Sequence, residues 1–341
     1  MIGVKMHSQL ENSKVRVSFM KKTSSLFALV LILGMTAPVS AQSFPQKRAI
    51  TLVVPFAPGG GTDAIARDLA KPLADKLGVP VVVDNKGGAG GAIAAQQISQ
   101  AKPDGHTLLF VTSTFVTAAA TDRKLPYDVN KDFSPISKVG SGPLLLVVNP
   151  QTGITQVTGL IDNAKRNPNS LNYVSAGQGS INHLSGELFA QRTGTQMTHI
   201  PYKGSGPATM DLIGGQAQIF FATVPTILSQ VKAGKVKLIA TTAKSRSKLF
   251  PDVPTVMESG VKSFEVGTWW GIVGPKDLPA DIVAILNRAI NESTATEALV
   301  KRFEEEGAER FAGTPAEFGS SIKHELDGWR KVVLDAGLKI D

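Results

Sequence analysis

The sequence predicts an α/β protein made of two lobes. Three observations carry this. Short apolar runs rich in branched residues alternate with helical patterns, the grammar of parallel strands joined by helices. Twice, in different halves of the chain, such a run ends in a glycine-rich turn that opens a helix: "APGGGTD" at Ala57 to Asp63 and "SAGQGSINH" at Ser175 to His183. No low-complexity tether separates the halves, so strands rather than a floppy linker join them.

The first 41 residues stand apart. Met20-Lys21-Lys22 is a basic start, "LFALVLILGMTAPV" (Leu26 to Val39) an apolar core, and "VSA" (Val39 to Ala41) a small-residue cleavage site before Gln42. That is the pattern of a secretory signal peptide, and its apolar run is shorter than the roughly 20 residues of a membrane span. Residues 1–19 lack the pattern, so Met20 is the expected start and 1–19 an upstream mis-start. The expected product is an exported chain beginning near Gln42.

The elements then follow in order. "AITLVVPF" (Ala49 to Phe56) reads as a buried strand ended by Pro and Gly. Thr62 or Asp63 is placed to cap a helix whose stripe is Ile65, Leu69, Leu73 and Leu77, with Gly78 as its stop. "VPVVVDN" is a strand, "KGGAGG" (Lys86 to Gly91) opens a second helix through "AIAAQQISQAK", and "HTLLFVT" (His106 to Thr112) is a third strand. In the middle, "GPLLLVVNP" (Gly142 to Pro150) is a strand, "GLIDNAKRNP" a helix, and "LNYVSAGQGS" a strand entering the second glycine turn. The helix "INHLSGELFAQRTG" follows, then strands in "AQIFFATVP" (Ala217 to Pro225) and "KVKLIATTA" (Lys235 to Ala243). "FEVGTWWGIVGP" is the last strand, trailed by three helical patterns. The final one opens with a capping box, Thr314 to Glu317, and carries the stripe Phe318, Ile322, Leu326 and Trp329.

Composition narrows the function. Residues 1–41 hold five bases and one acid, leaving 31 Lys or Arg and 27 Asp or Glu in the mature chain, a formal +4 with no basic run. Nucleic acid is not an expected partner. There is no cysteine, hence no disulfide, thiolate nucleophile or Cys-based metal site. The five histidines show no metal-ligand spacing, so neither metal nor cofactor is expected.

A helix N-terminus presents unpaired N–H groups and a partial positive charge, which suits an anion. Two glycine loops from opposite lobes can hold both ends of a small dicarboxylate without arginine, with Thr62, Ser175 and Ser180 adding hydroxyls. A phosphate-binding loop needs Lys and Ser/Thr after its last glycine, whereas Thr62-Asp63 follows Gly61. "GGAGGAIAA" fits a dinucleotide fingerprint only loosely, with no acidic residue ending the next strand. The enzyme alternative is a serine-type ester hydrolase using Ser175 or Ser180. The nucleophile elbow Gly-x-Ser-x-Gly is incomplete at both, with Tyr173 and Gln178 where the first Gly belongs.

"ITLVVPFAPGGGTDAIAR", "VVVDNKGGAGG", "PDGHTLLF", "LPYDVNKDFSPI", "GQGSINHLSGELF", "HIPYKGSGPATMDLIGGQ", "LFPDVPTVMESG", "WWGIVGP" and "TPAEF…ELDGWRKVV" run in this order through the chain. Together they resemble the Bug family, extracytoplasmic solute-binding receptors of tripartite tricarboxylate transporters. The resemblance implies a two-lobed periplasmic binding protein, a type II-like flytrap with a central cleft, here residues 42–142 plus 266–341 as lobe 1 and 143–265 as lobe 2. It implies a non-enzymatic, monomeric receptor that takes a small carboxylate and presents it to membrane permease subunits. A ligand-sensing accessory of a membrane signalling protein uses the same cleft.

By that resemblance the carboxylate is held by Phe56, Ala57, Pro58, Gly59, Gly60, Gly61, Thr62 and Asp63 from the first loop. Ser175, Gly177, Gly179, Ser180 and His183 serve from the second, and Ser113, Thr114 and Thr223 line the cleft. Where the family often carries an acidic or amide pair, this chain has Ala222 and Thr223. That points away from an amino-acid ligand, whose ammonium seeks a carboxylate, and toward a less polar or aromatic acid. Hinges are expected near Gly140 to Pro143 and Val261 to Gly267.

Overall fold

The computed structural model describes residues 44–121, 124–305, 307–335 and 337. Residues 47–341 form one compact unit; the expected signal peptide and its cleavage site lie outside the described residues. The first part runs β1 (Ile50–Val54), α1 (Gly61–Leu77), β2 (Val81–Asn85), α2 (Ala92–Ser99), β3 (Thr107–Thr112) and α3 (Thr114–Ala120). The long β4 (Phe133–Val148) leads into α4 (Val157–Arg166), β5 (Asn172–Ser175), α5 (Ile181–Thr193), β6 (Thr198–Pro201) and α6 (Ser205–Ile213). Then come β7 (Ile219–Thr223), α7 (Val224–Lys232), β8 (Lys237–Thr241) and β9 (Gly267–Pro275). The chain closes with α8 (Ala280–Thr294), α9 (Glu297–Glu305), β10 (Glu309–Arg310) and α10 (Pro315–Asp335).

The strands run in the order β2-β1-β3-β9-β4-β7-β5-β6, with β8 and β10 also on β4. β1 pairs in parallel with β2 and β3, and β5 in parallel with β6 and β7. β4 joins the two groups: Phe133 to Pro143 pairs antiparallel with β9, Leu144 to Val148 with β7, and Leu145 to Val148 with β8. Leu144, Leu146 and Val148 point into one apolar core with Tyr173, Phe189 and Phe221, while Leu145 and Val147 point into another with Phe220 and Ile227. A strand covered on both faces has to be apolar at successive positions, which is why "LLLVV" shows no alternation. The first group of strands packs its own core of Val53, Leu109, Val111 and Phe115 under Phe318, Ile322 and Leu326 of α10. Trp329, one turn on, reaches both this core and that of Leu144.

Thr242 ties the two crossing segments together. Its hydroxyl accepts the Leu144 N–H at 2.8 Å and donates to the Val266 carbonyl, and the Val266 N–H bonds back to the Thr242 carbonyl at 3.1 Å. The Thr314 capping box forms as expected, with Thr314 N–H on Glu317 at 2.8 Å and Glu317 N–H on the Thr314 hydroxyl at 3.2 Å.

Two expectations are corrected. β4 starts at Phe133, not Gly142: Pro135 sits at a register irregularity where no ladder N–H is needed, so the proline does not end the strand. The N-cap of α1 is Gly60 rather than Thr62 or Asp63, because the glycine turn itself supplies the extended cap geometry.

Candidate ligand site

The first loop is fixed from within. The Asp63 carboxylate, in the first turn of α1, accepts the Gly59 N–H at 3.0 Å, Arg67 Nε at 3.0 Å and Asn85 Nδ2 at 2.9 Å. Asn85 also donates to the Phe56 carbonyl at 3.1 Å. Burial by itself raises the Asp63 pKa, but the bonds from Arg67, Gly59 and Asn85 outweigh it and hold the carboxyl below its ordinary value. Asp63, expected to face a ligand, is thus a 6 % exposed buttress of the loop. Pro58 and Gly59 lie exposed at the loop tip, and Phe56 is buried beneath it.

The other side of the seam is the turn after β5. Ser175 is fully buried, and its hydroxyl accepts the Gly177 N–H at 3.1 Å and lies 2.6 Å from His199 Nε2. The Gly179 N–H donates to His183 Nδ1 at 3.1 Å, and Ser180 caps α5 by accepting the His183 N–H at 3.3 Å. His183 and His199 stack with centroids 3.6 Å apart and planes within 8°, and Tyr173 stacks on His199 at 5.0 Å. The Tyr173 hydroxyl donates to Glu187. Burial pushes the His183 pKa down to about 3, helped by the neighbouring His199, and burial pushes His199 down to about 4.

The two helix N-termini cap each other's half of the molecule. The Gly61 N–H of α1 donates to the Thr226 hydroxyl at 2.9 Å, and Thr226 shares a 2.7 Å contact with Thr223. The Ile181 N–H of α5 donates to the Thr114 hydroxyl at 3.3 Å. Two further bonds cross the seam, Ala57 N–H to the Lys203 carbonyl at 2.9 Å and the Thr117 hydroxyl to the Gly179 carbonyl at 2.8 Å. Backbone meets backbone here, which is what the glycines permit. A Cβ on Gly90 would lie 2.2 Å from the Gln178 carbonyl oxygen, and one on Gly61 2.7 Å from Thr226 Oγ1.

Of the expected cleft residues, Thr114 and Thr223 therefore stand at the seam with Gly60, Gly61 and the Gly177–Ser180 turn. Ser113 turns aside to bond Thr268 at 2.9 Å. Ala222 packs in the apolar core of Leu145 and Phe220. Thr226, His199 and Glu187, which no local sequence signal singles out, meet these residues through Gly61, Ser175 and Tyr173. A small apolar cavity of about 10 Å³ lies between Phe56, Gly91, Val111, Thr114, Phe115 and Tyr127. Among the described residues there is no group of three or more His, Asp or Glu placed to hold a metal, and no helix long and apolar enough to cross a membrane.

The model of the tripartite tricarboxylate transporter family receptor (TctC) matches residues 65–338. The chain belongs to this receptor family. Protein BugT of Bordetella pertussis is 39% identical over 309 residues, 90% of this chain and 94% of BugT. The structure of the periplasmic binding protein BugD is 34% identical over 86% of this chain and 99% of that one, with a TM-score of 0.83. An R. palustris protein with adipate is 33% identical over 87% of this chain and 99% of its own, also at a TM-score of 0.83. The receptor thus has the two-lobed periplasmic-binding-protein fold expected of it. Its family and structural neighbours are periplasmic binding proteins.

Proposed function

We propose that this receptor captures a small dicarboxylate between its two lobes and delivers it to the membrane permease of a tripartite transporter. One observation carries the reading: the N-termini of α1 and α5, from different halves, each hold a threonine hydroxyl oxygen of the opposite half. An oxygen acceptor is what each helix end seeks, and a carboxylate is a better acceptor than a hydroxyl because the bond becomes charge-assisted. Each helix end adds about 0.3–1 kcal/mol for a negative charge, up to ~2 where partly buried. On opening, the ligand's two carboxylates take the places of Thr226 and Thr114, with Gly60, Gly61 and Thr62 on one side and the Ser175–Ser180 turn on the other. The adipate bound by the R. palustris relative is an acid of this class.

The lobe limits proposed are 42–142 plus 266–341 and 143–265. The change of β4 partners after Pro143 and the Thr242 tie to Leu144 and Val266 support them. The mature chain is proposed to begin near Gln42 and to act as a periplasmic monomer.

Calorimetry of the purified mature protein with adipate, malate, citrate and glutamate tests the reading. Saturable binding of a dicarboxylate is expected, and a ligand at ~100 times its Kd adds about 2.7 kcal/mol of stability. Failure of every carboxylate to bind would overturn it. So would turnover of a p-nitrophenyl ester that is lost in Ser175→Ala, since Ser175 and His199 are close enough to form a nucleophile and base.

A further inference from the structure

The Ser175–Ser180 turn is built from residues that do little to fix its shape. Gly177 has φ +133° and Gly179 φ +73°, both in the left-handed region open to glycine. Without a Cβ to restrict it, such a turn takes its conformation from the bonds its amides make. Here both amides end on the same stack of rings, in which His183 is buried and His199 half-buried: Gly179 directly on His183 Nδ1, and Gly177 through the Ser175 hydroxyl next to His199 Nε2.

We propose that His183 and His199, as neutral hydrogen-bond acceptors, are positioning residues that set the shape of this turn and through it the ligand affinity of the second lobe. The affinity half of this rests on the carboxylate reading above; the positioning half does not. Because His183 Nδ1 accepts the Gly179 N–H, we assign its ring proton to Nε2, which faces Glu187 at 3.8 Å. The shorter of the Ser175 contacts assigns the hydroxyl proton toward His199 Nε2, which leaves the serine oxygen to accept from Gly177.

Protonation of His183 destroys the arrangement, and protonation of His199 reverses its bond with Ser175 and turns the hydroxyl proton to the Gly177 carbonyl. A proton on His183 Nδ1 faces the Gly179 N–H, donor against donor, and two charged rings 3.6 Å apart repel. The titratable groups facing the pair are Glu187 from α5 and Tyr173 from β5, joined to each other by a hydrogen bond. Burial holds both imidazoles neutral well below the ordinary histidine value near 6.5. The turn accordingly keeps one shape across the pH range of an exported protein.

The experiment uses the full mature protein labelled with 15N. In the wild type, imidazole nitrogen shifts should report both rings neutral at pH 5.5; titration of either near 6.5 overturns the proposal. His183→Leu and His199→Leu should raise hydrogen exchange at Gly179 and Gly177, respectively, by at least tenfold relative to the core strands. His183→Asn and His199→Gln, which keep an acceptor near the same point, should restore protection to within about threefold. Equal exchange in the leucine and amide variants overturns the proposal, as does unchanged exchange in both. With adipate as probe, the leucine variants should bind at least tenfold more weakly and the amide variants near the wild-type level. If the wild type itself binds no adipate, the carboxylate reading fails for this probe while the exchange and titration results still decide the positioning role.

Discussion

Glu325 on α10 offers a quantitative test of a carboxylate packed among apolar and indole neighbours. Its carboxylate accepts from the indole nitrogen of Trp269 on β9 and bonds Trp329, the residue that touches both large cores, with Lys138 of β4 nearby. Burial dominates: it raises the pKa to about 7, against the lowering effects of the two indoles and Lys138. In the unfolded chain the same group sits near 4.5. Below pH 4.5 it is protonated in both states and its contribution to stability is full. Between 4.5 and 7 the native state keeps a proton that the unfolded state releases, so stability falls as pH rises, and above 7 the loss is complete. A difference of this size corresponds to at most about 3 kcal/mol. His183 and His199 act in the opposite sense: their lowered values cost stability as pH falls below about 6.5. The wild-type profile alone is therefore not diagnostic, and the comparison with Glu325→Gln is. Urea unfolding of both proteins from pH 4.5 to 8 should find them similar at pH 4.5 and the glutamine variant ahead by as much as about 3 kcal/mol at pH 8. A difference that does not change with pH would refute the assignment.

The seam gives a paired prediction: Gly61→Ala puts a Cβ 2.7 Å from Thr226 Oγ1 and 2.8 Å from the Thr226 amide, whereas Gly60→Ala meets nothing closer than 3.4 Å. The first should expand the ligand-free protein in small-angle scattering, while the second keeps the wild-type profile; equal behaviour would contradict the seam geometry. Gly271→Ala places a Cβ 2.3 Å from the fully buried Phe318 ring and should destabilise by about 1–3 kcal/mol in urea titrations. Thr242→Val removes the acceptor of the Leu144 N–H where β4 changes partners, and calorimetric unfolding should register a loss of about 1–3 kcal/mol.

Elements whose cause is local can be read from the residues alone. The branched apolar runs of β1, β3 and the end of β4, the stripe and capping box of α10, and the two glycine turns opening α1 and α5 all depend on neighbours within a few residues. Family membership was legible for the same reason, since its motifs are short and ordered along the chain. Tertiary structure decided who meets whom. The stretch of β4 from Phe133 to Pro143 carries Pro135, Gly140 and Pro143, which locally argue against a strand, and it exists because β9 supplies a partner along that whole length. His199 comes to Ser175 because parallel pairing of β5 and β6 sets Tyr173 against His199. Gly61 finds Thr226 165 residues away, and Ile181 finds Thr114 across 67. Asp63 has the right sign and place for a cap, yet its carboxylate is claimed by Arg67 and Asn85 once α1 and β2 lie together. A hydrogen-bonding group takes whichever partner packing brings within about 3 Å, and that distance is not written in any local stretch of residues.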